Sequence, residues 1–338
     1  MNIQQLLFDL TSADFIGSVR DCANVIDRYI SPFVDEITHR PDGTVIAKLN
    51  GNHKNIMLEA HIDQVGFIVT DVFDDGFIRI NKIGSPDIRV LPASELKIYG
   101  SEIVYGIVCS TPPHLQKGGA DKYPDISEMF VDTGLMNIKD IVKVGDYAVY
   151  STTPQMLDEN IITSKSLDNR TACAALIMTA EYLSCNRPEC SITFMFSCAE
   201  ELGGAGAITG AFSQEIDCAI VSDVSFAKTP DTPSHMCGVV SNGAMIGISP
   251  VFPRKISNKL KNICEDKKIP YQLEVMGGLS STDADKIAIS KQGVPCGLIS
   301  IPLKNMHTPV ELCDIRDISA VSDLMTAFVE KWDGEHNA

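Results

Sequence analysis

The chain has 338 residues, 44% of them hydrophobic, and a formal net charge of -16. This is enough for one large domain carrying a smaller one, and the negative charge argues against nucleic acid or an anionic membrane as partner, because phosphate would repel it. No apolar run approaches membrane-spanning length; the first ten residues lack the basic start of a signal peptide, and 11 cysteines without a C-x-x-C pair read as reduced thiols of a cytoplasmic protein.

Thr11 precedes Asp14 at capping-box spacing, and Phe15, Val19, Cys22, Ile26 and Tyr29 recur at helical intervals. Together they predict an amphipathic helix ending near residue 30, before Pro32. Strands follow over 44–49 and 55–60, and the second delivers His61-Ile62-Asp63. In extended backbone His61 and Asp63 share a face, so Asp63 can hold the imidazole in the tautomer a metal requires; a hydrogen-bonded histidine at a strand end is the plainer alternative. From 65 to 164 the texture changes to short strands with glycine turns. Segments 67–72 and 77–80 flank the hairpin signal Asp74-Asp75-Gly76, and the whole stretch predicts a small inserted all-β domain.

The α/β texture resumes at Ser166-Leu167-Asp168-Asn169-Arg170, ahead of a helix over 171–183. Asp168 suits either a helix cap or a metal-bridging carboxylate. The apolar run 192–196 predicts a buried strand ending near Glu200 and Glu201. Neighbours in a strand point to opposite faces, so the chain must turn here to aim both acids into one cavity, and Gly203 and Gly204 permit it. A helix over 208–212 and a strand over 218–223 come next, and Asp223 at that strand's carboxyl end reads as a ligand or as a turn aspartate. Gly277 to Ala284 runs from a turn into a helix, a strand over 295–301 precedes His307, and an amphipathic helix over 318–332 closes the fold. Residues 333–338 are expected to be a disordered tail.

His61, Asp168, Glu201, Asp223 and His307 all fall at strand ends or helix starts of one α/β layer, where open sheets bind ligands. Two histidines and three carboxylates suit a pair of borderline divalent ions with one bridging carboxylate. Glu200 is then the spare acid, free to act as base.

Six segments carry a family resemblance: Ala60-His61-Ile62-Asp63, Ser166-Leu167-Asp168-Asn169-Arg170, Glu200-Glu201-Leu202-Gly203-Gly204-Ala205-Gly206-Ala207, Ser222-Asp223-Val224, Ser281-Thr282-Asp283-Ala284 and Met306-His307-Thr308-Pro309-Val310-Glu311. In content and order they resemble the M42 family of metalloaminopeptidases, the glutamyl and tetrahedral aminopeptidases, over about residues 10 to 330. The resemblance implies a zinc-aminopeptidase-like α/β/α sandwich with a mixed central sheet. Residues 1–64 and 165–332 would form the catalytic domain, and 65–164 an inserted barrel-like β-domain serving oligomerisation and substrate access.

By the same resemblance, His61 and Asp223 would hold one metal, and Glu201 and His307 a second. Asp168 would bridge them, Glu200 would be the general base and Asp63 the partner of His61. A cis peptide is expected at Asp168-Asn169. The implied cofactors are two divalent ions, Zn2+ or Co2+, the substrates are peptides with a free N-terminus, and the assembly is a tetrahedral dodecamer. Gln64 stands where many members carry an acid, Asn305-Met306 replaces a common Arg-Tyr, and Leu202 to Ala205 departs from the usual arginine-containing stretch; these bear on substrate preference and assembly. The serious alternative is a metal-dependent deacylase of small amides using the same site. A glycosidase fits less well, because its two acids flank a sugar from separate segments, whereas Glu200 and Glu201 are neighbours.

Overall fold

Alternation along the central strands dictates the layering. In Asn55–His61, Ile56, Leu58 and Ala60 enter one apolar cluster while Met57 enters another, and Ser191–Ser197 divides likewise between Phe194 and Met195. Successive strand residues face opposite sides, so the sheet must be covered on both. The computed structural model, which describes residues 1–52, 54–115 and 124–336, shows that cover. Helices Ile3–Ser12, Asp21–Ile30, Leu167–Cys185, Arg254–Lys267 and Ile315–His336 supply one side. The shorter Ala205–Phe212 and Asp283–Ala288 supply the other.

The eight strands run in the order Tyr271–Val275, Ala244–Ile248, Cys296–Leu303, Cys218–Phe226, Asn55–His61, Ser191–Ser197, Val45–Leu49, Glu36–His39. The middle four are parallel and have antiparallel neighbours on both flanks, which makes the sheet mixed, as expected. His61, Ser197 and Asp223 lie on the face of the two short helices, in register with Met57, Met195 and Val221. The polar ends of these strands therefore meet above one cluster.

Six strands between Gly66 and Tyr150 close into a barrel. Its separate core includes Phe67, Leu96, Ile98, Val131 and Ala148. A small three-stranded sheet pairs Ile161–Ser164 with Glu311–Asp314 and so joins the barrel's exit to the segment after His307.

One expectation near the start of the chain is corrected. The helix predicted from Phe15 begins at Asp21; Phe15–Ile16 and Val19–Arg20 instead pair as a small hairpin. Gly17 causes the break, with φ +56° and an ideal Cβ only 2.1 Å from the Tyr147 ring of the barrel. Local periodicity yields here to a tertiary contact that admits only glycine. A further helix, Ile3–Ser12, precedes it, capped by the Asn2 side chain. At the other end the last helix spans Ile315–His336, and 337–338 lie outside the described residues.

Asp14, just before the hairpin, is 1% exposed and gathers four side chains. It accepts from Lys165 Nζ at 2.5 Å, Lys97 Nζ at 3.0 Å, Tyr99 Oη at 2.5 Å and Gln64 Nε2 at 3.2 Å. Gln64 in turn accepts from the fully buried Arg170 at 3.1 Å. Burial opposes ionisation of Asp14, but Lys165, Tyr99 and Lys97 outweigh it and hold its pKa at about 2. The barrel, the N-terminal segment and the loop before Asp168 are thus tied at one carboxylate.

Candidate metal centre

The five proposed ligands and both accessory acids converge at the carboxyl ends of the parallel strands. His61 ends its strand, Asp223 lies three residues before the end of Cys218–Phe226, and Glu200 and Glu201 open a single 3-10 turn after Ser191–Ser197. The turn is entered and left through left-handed residues, Ala199 at φ +59° and Gly203 at φ +106°. It aims the adjacent acids inward as the sequence required. Asp168 and Asn169 have non-helical dihedrals inside Leu167–Cys185, and their peptide bond is cis.

Asp168 sits between the histidines. Its Oδ1 is 3.1 Å from His61 Nε2, and its Oδ2 is 3.2 Å from His307 Nε2. Asp223 lies 3.6 Å from the first nitrogen and Glu201 3.5 Å from the second. The result is two ligand groups, His61/Asp168/Asp223 and Asp168/Glu201/His307, each with its atoms within 4.8 Å of one another.

The far ring nitrogens test whether the groups suit cations. His61 Nδ1 is 3.2 Å from the Asp63 carbonyl, and His307 Nδ1 is 2.9 Å from the Ser85 carbonyl. A carbonyl only accepts, so both Nδ1 atoms carry hydrogen. In the neutral rings each Nε2 lone pair then faces carboxylate lone pairs, an arrangement that demands a positive charge between them. Divalent cations meet that demand with borderline N and O donors.

Without cations, protons fill the role. Burial opposes charging of His61, but Asp168, Asp223 and Asp63 raise its pKa well above the ordinary value. Burial is similarly overcome at His307, where Asp168 and Glu201 push the pKa up to about 10. Asp168 is held low against burial by the two imidazoles. Glu201 rises to about 8 through burial and the nearby Asp168. Glu200 rises to about 9, chiefly through burial and then through Asp223, Asp283 and Glu201, with His61 opposing.

Asp63 touches both His61 and the carboxylate turn. Its carboxylate is 3.6 Å from His61 Nδ1 and also accepts the backbone N–H groups of Glu200 at 3.1 Å and Glu201 at 3.3 Å, so it fixes the carboxylate turn while its carbonyl orients the histidine.

Other contributing groups were given no role from the sequence. Glu311 accepts the N–H groups of Asp168 at 3.1 Å and His307 at 2.7 Å; its position in the His307-Thr308-Pro309-Val310-Glu311 run was the available signal. Below the site, Ser197 Oγ lies 2.6 Å from Glu59 and 2.5 Å from Asp283. One hydroxyl hydrogen serves one acceptor, so the other carboxyl must be protonated.

Residues 43–324 match the M42 glutamyl aminopeptidase family. The lysyl aminopeptidase of Pyrococcus furiosus is 28% identical over 304 residues, spanning 88% of this chain and 87% of its own. An aminopeptidase structure from the archaeon Desulfurococcus kamchatkensis superposes with a TM-score of 0.91 at 30% identity, covering 97% of this chain and 94% of that one. The TET1 peptidase of Pyrococcus horikoshii, described as assembling into a tetrahedron or a large octahedral shell, gives 0.86 at 25% identity, covering 97% and 99%.

Proposed function

The chain belongs to the M42 aminopeptidase family and is a hydrolase of peptide bonds, and from that premise we propose a dinuclear aminopeptidase that removes the first residue of peptides with a free N-terminus. One observation carries the reading: the two oxygens of Asp168 face two different histidines, at 3.1 and 3.2 Å. A carboxylate so placed would bridge two divalent cations, for which His61 and Asp223 would supply one set of ligands and Glu201 and His307 the other.

Two divalent cations held there, Zn2+ or Co2+, would polarise the scissile carbonyl, acidify the attacking water and bring the Glu200 pKa down from about 9 towards neutrality. Glu200, the acid outside both ligand groups, takes the proton of that water and returns it to the departing amine. Asp63 keeps Glu200 in place through its backbone N–H. The free amino group of the substrate lies against the acidic cluster, which limits attack to the first peptide bond.

The 65–164 segment serves in this reading as an inserted unit for assembly and substrate access, and the assembly is a tetrahedral dodecamer. Support comes from the TET1 neighbour and from Ile103, Tyr105 and Ile107, which stand exposed along one face of a barrel strand. The setting is the cytoplasm, supported by cysteines that form no disulfide among the described residues; among the same residues no helix is long and apolar enough to cross a membrane.

Free and N-acetylated aminoacyl anilides test the activity. Cleavage of the free-amine set alone, lost on chelation and regained with Zn2+ or Co2+, is expected; preference for the acetylated set would mark a deacylase.

A further inference from the structure

The two ligand groups differ in what holds them. His61 is oriented by the carbonyl of Asp63, two residues along its own chain, and its side chain is 2% exposed. His307 is oriented by Ser85, a barrel residue 222 positions away, and its side chain is 24% exposed. The neighbouring backbone adds a second tie, Asp87 N–H to the His307 carbonyl at 3.0 Å.

Gly84 makes the third contact. It adopts φ +70°, and a Cβ built on it would lie 3.1 Å from Glu201 Oε2 and 3.2 Å from Glu201 Cβ. A methyl group there would meet both an unfavourable backbone and the ligand itself. The loop is braced from outside by Arg89, whose Nε and Nη2 grip the Asp87 carboxylate at 2.8 and 2.6 Å.

We propose that the barrel loop 84–87 is a positioning element of the second ligand group, with Gly84 admitting Glu201 and the Ser85 carbonyl fixing His307. The first group is assembled without any contact from the barrel loop, from two strands of the α/β sheet and Asp168 of Leu167–Cys185, whereas the second is complete only with this loop seated. Motion of the barrel against the sheet therefore acts on one cation position and spares the other. The inference rests on the dinuclear reading above.

The test is Zn2+ binding followed by calorimetry and by metal analysis after dialysis, for wild type and for Gly84→Ala, Arg89→Ala and Ser85→Ala. Gly84→Ala should keep one ion at wild-type affinity and bind the other ~10–100-fold more weakly, the range seen when a partner that orients a ligand is lost. Arg89→Ala, an exposed change, should act in the same direction more mildly. Ser85→Ala keeps its carbonyl and should match wild type. The melting temperature of metal-free Gly84→Ala should stay near wild type while the rise caused by Zn2+ shrinks. Both ions retained at wild-type affinity in Gly84→Ala and Arg89→Ala, or both weakened equally, would overturn the role of the loop. Wild type that holds no ion would instead overturn the dinuclear reading.

Discussion

The two ligand groups share Asp168 yet are built on different principles. His61 and Asp223 belong to adjacent parallel strands, so register alone brings their side chains together, and both are buried. Glu201 and His307 stand on a 3-10 turn and a loop, only partly buried, and depend on Asp63, Glu311 and a barrel loop for orientation. A pair of strands fixes geometry through its ladder, whereas a loop ligand must be held by separate partners. The first group should therefore resist distant perturbation, and the second should report it.

The strongest way to break this comparison is to remove what the groups share. Asp168→Asn should release both ions and lower kcat/KM at least ~10³-fold, about 4 kcal/mol of transition-state stabilisation; metal analysis with steady-state kinetics checks it, and loss of a single ion would show that Asp168 serves one group only. Glu200→Gln should lower kcat roughly 10²- to 10⁴-fold with both ions retained, because it removes the base and no ligand.

Asp14→Asn should cost roughly 3–5 kcal/mol in urea unfolding, since it strands the buried Lys165 ammonium. The pH dependence follows from the lowered Asp14 pKa. Its contribution is fully present above the ordinary carboxylate value of 3.8 and is lost as pH falls through about 2, a loss of about 2 kcal/mol that Asp14→Asn should lack. The smallest effect expected is that of Gly17→Ala. It should cost ~1–3 kcal/mol by pressing on Tyr147 and, by loosening the barrel junction, should weaken retention of the second ion before the first.

Much of this arrangement was legible because strand chemistry is local. The β-branched and aromatic runs ending near His61, Glu200 and Asp223 marked the central strands, and the acids and histidines past their ends marked the site. What escaped depends on distant partners. The Tyr147 ring beside Gly17 stopped a helix that periodicity favoured. The Asp63 carboxylate turned to the Glu200 and Glu201 backbone because the neighbouring strand's exit loop passes over it. The bond from His307 to Ser85 joins residues 222 apart and leaves no spacing pattern to read.

The most direct test of the central claim is to return Zn2+ stepwise to chelated wild-type protein while measuring ions bound per chain and cleavage of a free-amine aminoacyl anilide. Binding should saturate at two ions per chain, with full activity reached only as the second position fills. Saturation at one ion with full activity, or cleavage that survives with none, would contradict the bridging role of Asp168.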